Sequence, residues 1–121
     1  MKNVLLLPLF CSVSWLSGIV ALTIPAPAHA VNIAQSICEY VAADDKKRMR
    51  SFLRTNKIKI RNIFKDIECN NQNLLEFAAT RGSVKTGELM ISKLPKHIVK
   101  ANIPKIQANQ ALVDKAKERI N

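Results

Sequence analysis

The chain has 121 residues, enough for one domain, and a formal net charge of +10 from 19 basic and 9 acidic residues. Only 5% of the residues are aromatic and three are glycine. The chain therefore lacks the glycine-rich loop that cradles phosphates, and it has few rings on which bases could stack. These features argue against a nucleotide-dependent enzyme and against a nucleic-acid-binding protein.

The first 30 residues have the pattern of an export signal. Lys2 precedes an apolar run over residues 4–24, and Ala28 and Ala30 form the A-x-A pattern that signal peptidase accepts. We predict that residues 1–30 are a signal peptide cleaved after Ala30 and that the protein is periplasmic or secreted. An uncleaved membrane anchor is the alternative, because the apolar run is long enough to span a bilayer.

Two cysteines remain outside this leader, Cys38 and Cys69. Export would place them in an oxidising compartment, and a domain as small as residues 31–121 often needs a covalent link. We predict a Cys38–Cys69 disulfide, which would stabilise the fold by roughly 3–4 kcal/mol through loop closure. Two free buried thiols are the alternative.

Apolar residues at helical spacing predict a first helical hairpin. One helix is expected over residues 32–43 and a second over residues 45–55. Asp44 and Asp45 stand between them, where a carboxylate can end the first helix and cap the second. Asn56 is expected to adopt the left-handed conformation that ends the second helix.

The next segment has two possible structures. Residues 57–61 alternate with the period of a strand, whereas Ile60, Ile63 and Ile67 form a helical stripe. We predict an extended segment at residues 57–59 and then a short helix that ends at Ile67.

A second hairpin is predicted after an asparagine-rich turn. A helix is expected over residues 73–80, with Phe77 as the anchor of the core. The following helix, capped by Ser83 and ending at Lys93, contains Gly87, which allows close packing.

Residues 96–121 differ in composition from the rest. They hold six basic and two acidic residues and no aromatic one. We predict a basic C-terminal tail, helical or partly disordered, following a disulfide-linked helical domain over residues 31–95. Its helix, over residues 105–119, is expected to be loosely docked or independent, because its apolar stripe is thin.

The predicted fold is therefore all-α: two helical hairpins joined by a short basic segment, one disulfide and a tail helix. A weak internal echo supports the two hairpins, because a Val41-Ala42-Ala43 segment is matched later by Phe77-Ala78-Ala79. The second hairpin, with small inward residues and glycine in its turn, also bears a weaker similarity to an ankyrin hairpin.

One string of residues resembles a known family. The string is Cys-Asn-x-x-x-Leu-Leu-x-Phe-Ala from Cys69 to Ala78, and Arg61-Asn62-Ile63-Phe64 and Leu94-Pro95 add to it. Together they are similar to a small exported bacterial family known only as a domain of unknown function. The family pattern often has Gly where this chain has Asn71. The resemblance implies no activity.

No catalytic or metal-binding constellation is found in the sequence. Outside the leader the one histidine is His97, which we interpret as a solvated surface residue. Cys38, Cys69 and His97 lack zinc-site spacing and a fourth ligand. The Asp44-Asp45 pair is more typical of a helix cap than of a metal site. We expect no enzyme activity, no metal and no cofactor.

Positive charge is the remaining candidate for function. The segment over residues 46–65 holds nine basic residues and no acidic one. Opposite the apolar side of the second helix lie three of these cations, and four more follow along the chain. The candidate anion-binding residues are Lys47, Arg50, Arg54, Lys57, Lys59, Arg61 and Lys65.

Two functional hypotheses follow, and a merely solvated basic surface is the plain alternative to both. The first is a periplasmic interaction module that binds an acidic protein or an anionic envelope surface. The second is a membrane-surface or lipid-binding protein whose tail helix lies at the interface. Nucleic acid is not an expected partner, and the sequence does not define the oligomeric state.

Overall fold

The computed structural model of this chain describes residues 28–121, with side chains described from Ile33 onward. The predicted signal peptide lies outside the described residues, except that residues 28–30 are helical. Cleavage after Ala30 therefore stays a prediction. Within the described part, no helix combines the length and the apolar character needed to span a membrane.

The described part is mostly helical, as the sequence predicts. Its first half contains α1 (Ala28–Ala42), α2 (Lys46–Thr55), α3 (Ile60–Ile63), a 3-10 turn (Phe64–Asp66), β1 (Glu68–Cys69) and β2 (Gln72–Asn73). Its second half contains α4 (Leu74–Arg81), α5 (Val84–Lys93), α6 (Lys96–Asn102), a 3-10 turn (Ile103–Lys105) and α7 (Gln110–Ile120).

The two predicted hairpins are confirmed. They are α1–α2 and α4–α5, and they stack side by side so that α1 packs against α4 and α2 packs against α5. Each helix contributes the apolar side that the spacing indicates. Ile37 and Val41 of α1 and Leu74 and Leu75 of α4 have no exposed surface.

The predicted disulfide is also confirmed. Cys38 and Cys69 are joined, with their sulfur atoms 2.02 Å apart, and they are separated by 31 positions in sequence. The bond attaches α1 to the short strand β1. Cys69 is buried and Cys38 is half-buried.

Strands β1 and β2 form a tight antiparallel hairpin that the sequence analysis did not predict. Glu68 pairs with Asn73 and Cys69 pairs with Gln72. Between them Asn70 and Asn71 have φ values of 54° and 64°. Two consecutive left-handed residues form the turn that suits a two-residue hairpin, and asparagine tolerates this conformation better than most residues. At the position where the family often has Gly, this chain therefore has asparagine, the next most suitable residue type for a left-handed backbone.

The predicted caps are partly correct. Asp45 caps α2, since its carboxylate accepts a hydrogen bond from the Arg48 backbone N–H at 3.0 Å. Asn73 caps α4 in the same way, accepting from the Glu76 N–H at 2.8 Å. The left-handed residue after α2 is Lys57, with φ 56°, and not Asn56, which has φ −92°.

Ser83 occupies the N-cap position of α5, as predicted, but its side chain does not cap the helix. The Ser83 hydroxyl donates to the carbonyl oxygen of Val41 in the first hairpin. The cap comes from Asp44, whose carboxylate accepts from the backbone N–H groups of Lys85, at 3.3 Å, and Thr86, at 2.8 Å. A residue 42 positions earlier in the chain therefore satisfies the first turn of α5.

The segment after α2 contains less helix than predicted. Lys59 is extended, as expected, but α3 spans only Ile60–Ile63 before the chain tightens into a 3-10 turn over Phe64–Asp66. Ile67 is extended and leads into β1. The apolar stripe is nevertheless buried, because Ile60, Phe64 and Ile67 all reach the core.

The expectation of a loosely docked tail is wrong. Helices α6 and α7 pack on each other, and α7 also packs along α5. Ile106, Leu112 and Ala116 have no exposed surface. The thin apolar stripe of α7 is sufficient for docking on α5, because Gly87 of α5 has no side chain and the two helices can approach closely. A Cβ atom at Gly87 would lie 2.7 Å from both δ-carbons of Leu112.

Polar contacts hold this third helical pair in place. The Arg119 side chain donates to the carbonyl oxygens of Ile91 and Leu94, at 3.3 and 3.2 Å, where α5 ends. Asn102 of α6 accepts from the Asn73 amide at 2.7 Å. The core is therefore continuous from α1 to α7 and includes Phe77, which is 4% exposed.

Candidate anion-binding site

Helix α2 is the platform of the candidate site. Its apolar side faces the core, with Met49 fully buried and Phe52 and Leu53 half-buried. The Phe52 ring packs edge-on against Tyr40 of α1, with ring centroids 5.5 Å apart. Because this side is buried, the opposite side of α2 is directed to solvent.

All seven predicted anion-binding residues lie at the surface. Each of them is exposed: Lys47, Arg50, Arg54, Lys57, Lys59, Arg61 and Lys65. None forms an ion pair with another described residue. The ion pairs found over residues 33–121 are Arg48–Asp45 and Lys115–Glu118.

A surface depression gathers one group of these cations. It lies beside α2, extends to the start of α5, and is lined by cations from both helices. We call its five unpaired cations the basic face: Lys46, Lys47, Arg50, Arg54 and Lys85. Asp44 and Asp45 also border the depression, but their carboxylates are engaged in helix caps.

A second concavity, the α2–α5 cleft, lies on the other side of α2. It has a volume of about 350 Å³ and is mainly apolar. Its walls are Met49, Arg50, Leu53, Ile58, Lys59, Ile60, Arg61, Leu89, Met90 and Lys93. Arg50 borders both the cleft and the depression of the basic face, so the two concavities are neighbours.

The structure thus divides the predicted residues into four groups, of which Arg50, bordering both concavities, is one. Lys47 and Arg54 border the depression only, whereas Lys59 and Arg61 border the cleft only. Lys57 and Lys65 border neither concavity. The single continuous region of positive charge expected from sequence is therefore two distinct clusters that meet at Arg50.

Three cations of these clusters were not among the predicted residues: Lys46, which lies within the dense basic segment, and Lys85 and Lys93. Lys85 and Lys93 belong to α5 and lie outside the dense basic segment. Lys85 and Lys93 carried no signal in the sequence, because only the packing of α2 on α5 brings them to the two concavities.

Other chemical groups are occupied or isolated. Cys38 and Cys69 are bonded to each other, so neither thiol is available to a metal, and His97 is exposed on α6. Over the residues the structure describes, no group of three His, Cys, Asp or Glu side chains is close enough to hold a metal ion.

Comparison with known protein families identifies the family of this chain. The family described as "Protein of unknown function (DUF3718)" matches residues 37–101. The chain belongs to this family. The match confirms the predicted resemblance to a family of unknown function, and it includes both cysteines and all seven predicted cations. No curated protein and no solved structure gives a significant match.

The family match also extends beyond Pro95 to Ala101, in the last turn of α6. The DUF3718 region therefore includes the first part of the predicted tail. Membership of this family implies no activity. The two clusters of cations are therefore the basis of the proposed function.

Proposed function

We propose that this DUF3718 protein is a non-enzymatic interaction module whose basic face binds an anionic component of the cell envelope. The observation that carries the proposal is the arrangement of five cations around one depression, without ion-pair partners among residues 33–121. Anionic lipid phosphates, lipopolysaccharide or an acidic protein surface would supply the missing negative charge.

The magnitude of this attraction depends on salt. Each exposed cation near an anionic surface contributes roughly 1 kcal/mol, and screening acts over about 8–10 Å at ordinary ionic strength. Four such cations, with the half-buried Lys46 beside them, would be enough for measurable binding at low salt. Binding by this face should therefore weaken steeply as salt is added.

Export to the periplasm is part of the proposal. The A-x-A pattern at Ala28 and Ala30 and the Cys38–Cys69 bond both support it, because disulfides persist in oxidising compartments. An envelope surface would then be the polyanion nearest to the basic face.

A binding role without catalysis is supported by the groups that surround the depression. The two carboxylates nearest to it serve as caps of α2 and α5. Reactions that use a nucleophile and a base need such groups to be free and close together.

The lipid-binding alternative based on the tail helix is not retained. It requires the apolar stripe of that helix to lie on a membrane, but Leu112, Val113 and Ala116 are buried against the rest of the domain. A membrane interface would therefore only replace burial that the folded domain already provides to these side chains.

The proposal is tested by reversing three charges of the basic face. Lys47→Glu, Arg50→Glu and Arg54→Glu together should abolish binding to phosphatidylglycerol vesicles and to lipopolysaccharide. Cosedimentation at low and at high salt measures this. Circular dichroism and a thiol assay should show that the fold and the disulfide are unchanged, because all three side chains are exposed.

A matched variant controls for net charge. Lys96→Glu, Lys100→Glu and Lys105→Glu together change the charge equally, but on the exposed surface of the α6 region. This variant should retain most of the binding. Equal loss in both variants would show that net charge alone matters, and no loss in either would show that the basic face is only solvated.

A further inference from the structure

The α2–α5 cleft differs from the basic face because its floor is apolar. Met49 and Met90 have no exposed surface and form its base, while Ile60 and Leu89 are almost as deeply buried. Leu53 and Ile58 are half-buried and form the walls nearer to solvent. Methionine side chains are flexible and polarizable, so a base of two methionines can adapt to an inserted chain.

Four cations border this apolar floor. Arg50 comes from α2, Lys59 and Arg61 from the segment after it, and Lys93 from the last turn of α5. All four are exposed, none forms an ion pair with another described residue, and no acidic side chain is among the lining residues. An occupant that matches the cleft needs an apolar part and a negative charge at its end.

The chemistry of the walls favours an alkyl chain over a peptide. Most of the cleft is built from helices, whose backbone groups are bonded within each helix, so no strand edge is offered to an extended peptide. An extended peptide would bring unpaired amides onto an apolar floor, at a cost of about 1–3 kcal/mol for each unpaired group. An alkyl chain brings none.

A second copy of the protein is also a poor occupant. A symmetric dimer through this face would bring the same four cations of both copies together. The volume of about 350 Å³ instead lies at the small end of the range of roughly 300–1,000 Å³ that is usual for small-molecule sites.

We propose that the α2–α5 cleft binds a single-chain anionic amphiphile. The alkyl chain lies against Leu53, Ile58 and Leu89, over the buried Met49 and Met90, and the anionic head group binds Arg50, Lys59 and Lys93. The proposal extends the proposed function by naming a class of ligand. It rests on the proposed function in one respect, namely that the partner is anionic. The site shares Arg50 alone with the basic face.

The first test is a series of fatty-acid anions from hexanoate to dodecanoate, each below its critical micelle concentration. The protein is purified from cells in the form in which it accumulates there. Its affinity for each fatty-acid anion is measured by calorimetry. Each added CH₂ group that enters the cleft should raise the affinity about fourfold until the cleft is full. Amide NMR shifts should be concentrated at Leu53, Ile58 and Leu89.

Two comparison ligands separate the parts of the amphiphile. Dodecyltrimethylammonium has the same chain with a positive head group and should bind far more weakly than dodecanoate. Acetate has the head group without the chain and should not bind measurably. Equal binding of both dodecyl compounds, or affinity independent of chain length, would overturn the proposal.

Variants locate the site. Ile58→Trp fills the cleft from a loop without changing any charge, and it should reduce dodecanoate affinity at least tenfold. Ile63→Trp is the matched control, because Ile63 is half-buried but does not line the cleft. If Ile58→Trp folds and binds dodecanoate as the parent does, the ligand lies elsewhere and the proposal fails.

The head-group position is tested at Lys93, which lies outside the basic face. Lys93→Glu should reduce dodecanoate affinity about tenfold and leave vesicle binding by the basic face unchanged, whereas Lys100→Glu should change neither. Loss of dodecanoate binding in a Lys47→Glu, Arg54→Glu double variant, with Lys93→Glu binding dodecanoate as the parent does, would assign the ligand to the basic face instead, because Lys47 and Arg54 do not line the cleft. The two proposals can therefore fail separately.

Discussion

Asp44 shows how a single side chain connects the two hairpins. It follows the end of α1, has a left-handed backbone with φ 53°, and directs its carboxylate to the first turn of α5. The same oxygen also accepts from the Thr86 hydroxyl at 3.1 Å. A carboxylate at this position satisfies otherwise unpaired N–H groups and interacts favourably with the helix dipole. Asp44 therefore holds α5 against the first hairpin.

We predict a specific order of stability for three substitutions of Asp44. Asn keeps an acceptor and tolerates φ 53°, so Asp44→Asn should cost little. Asp44→Gly removes the cap without backbone strain and should cost about 1 kcal/mol. Asp44→Ala should cost about 2–3 kcal/mol, because left-handed strain adds to the lost cap. Urea unfolding measures all three.

The comparison of Gly and Ala separates the two causes. Equal costs for these two variants would show that the left-handed backbone is not strained by a Cβ atom. A glycine variant as stable as the parent would show that the carboxylate does not stabilise α5.

At the scale of elements, the contact between α5 and α7 determines whether the tail is part of the domain. Leu112 occupies the space that the missing side chain of Gly87 leaves open. Gly in the middle of a helix costs roughly 1 kcal/mol relative to Ala, so the residue is tolerated here for packing and not for helix propensity. This contact explains why α7 is ordered although its apolar stripe is thin.

We predict that Gly87 and Leu112 are strongly coupled. Gly87→Ala alone should destabilise the protein by about 1–3 kcal/mol through overpacking, despite the gain in helix propensity. Leu112→Ala alone should cost about 2–5 kcal/mol. When Leu112 is already Ala, adding Gly87→Ala should be neutral or stabilising.

A double-mutant cycle by chemical denaturation checks this coupling. Additive costs would mean that the Ala methyl group does not meet Leu112 and that α7 is held by other contacts. Ser92→Ala is a suitable control on the same helix, because its hydroxyl donates only to the local Leu89 carbonyl oxygen.

At the scale of the whole molecule, the disulfide compensates for small size. A domain of this length buries only about 60% of the surface of its unfolded chain, so its net stability is small. The Cys38–Cys69 bond closes a loop that contains α2, α3 and the dense basic segment. It therefore limits the unfolded freedom of the region in which like charges repel one another.

We predict that reducing this bond lowers the free energy of unfolding by roughly 3–4 kcal/mol, the entropy of closing such a loop. Thermal unfolding with and without dithiothreitol measures the loss. A variant with Cys38→Ala and Cys69→Ala should melt like the reduced parent and should not respond to the reductant. An unchanged melting temperature on reduction would contradict a stabilising role.

The sequence by itself determined the local features of this protein. Apolar residues at helical spacing predicted α1, α2, α4 and α5, since burial of one side is a property of neighbouring residues. Asp45 was identified as a cap because a cap and its helix are adjacent in the chain. The export-signal pattern of residues 1–30 together with small size indicated the disulfide. The exposure of Lys47, Arg50 and Arg54 followed from the burial of the opposite side of α2.

Only the tertiary structure decided the features that join distant residues. Three features link parts of the chain that local patterns treat separately. They are the Asp44 cap of α5, the packing of Leu112 against Gly87, and the positions of Lys85 and Lys93 in the two clusters. The β1–β2 hairpin depended on left-handed Asn70 and Asn71, which composition indicates only as a turn. The division of one basic segment into a charged face and an apolar cleft was likewise decided by α5, because a concavity requires walls from both helices.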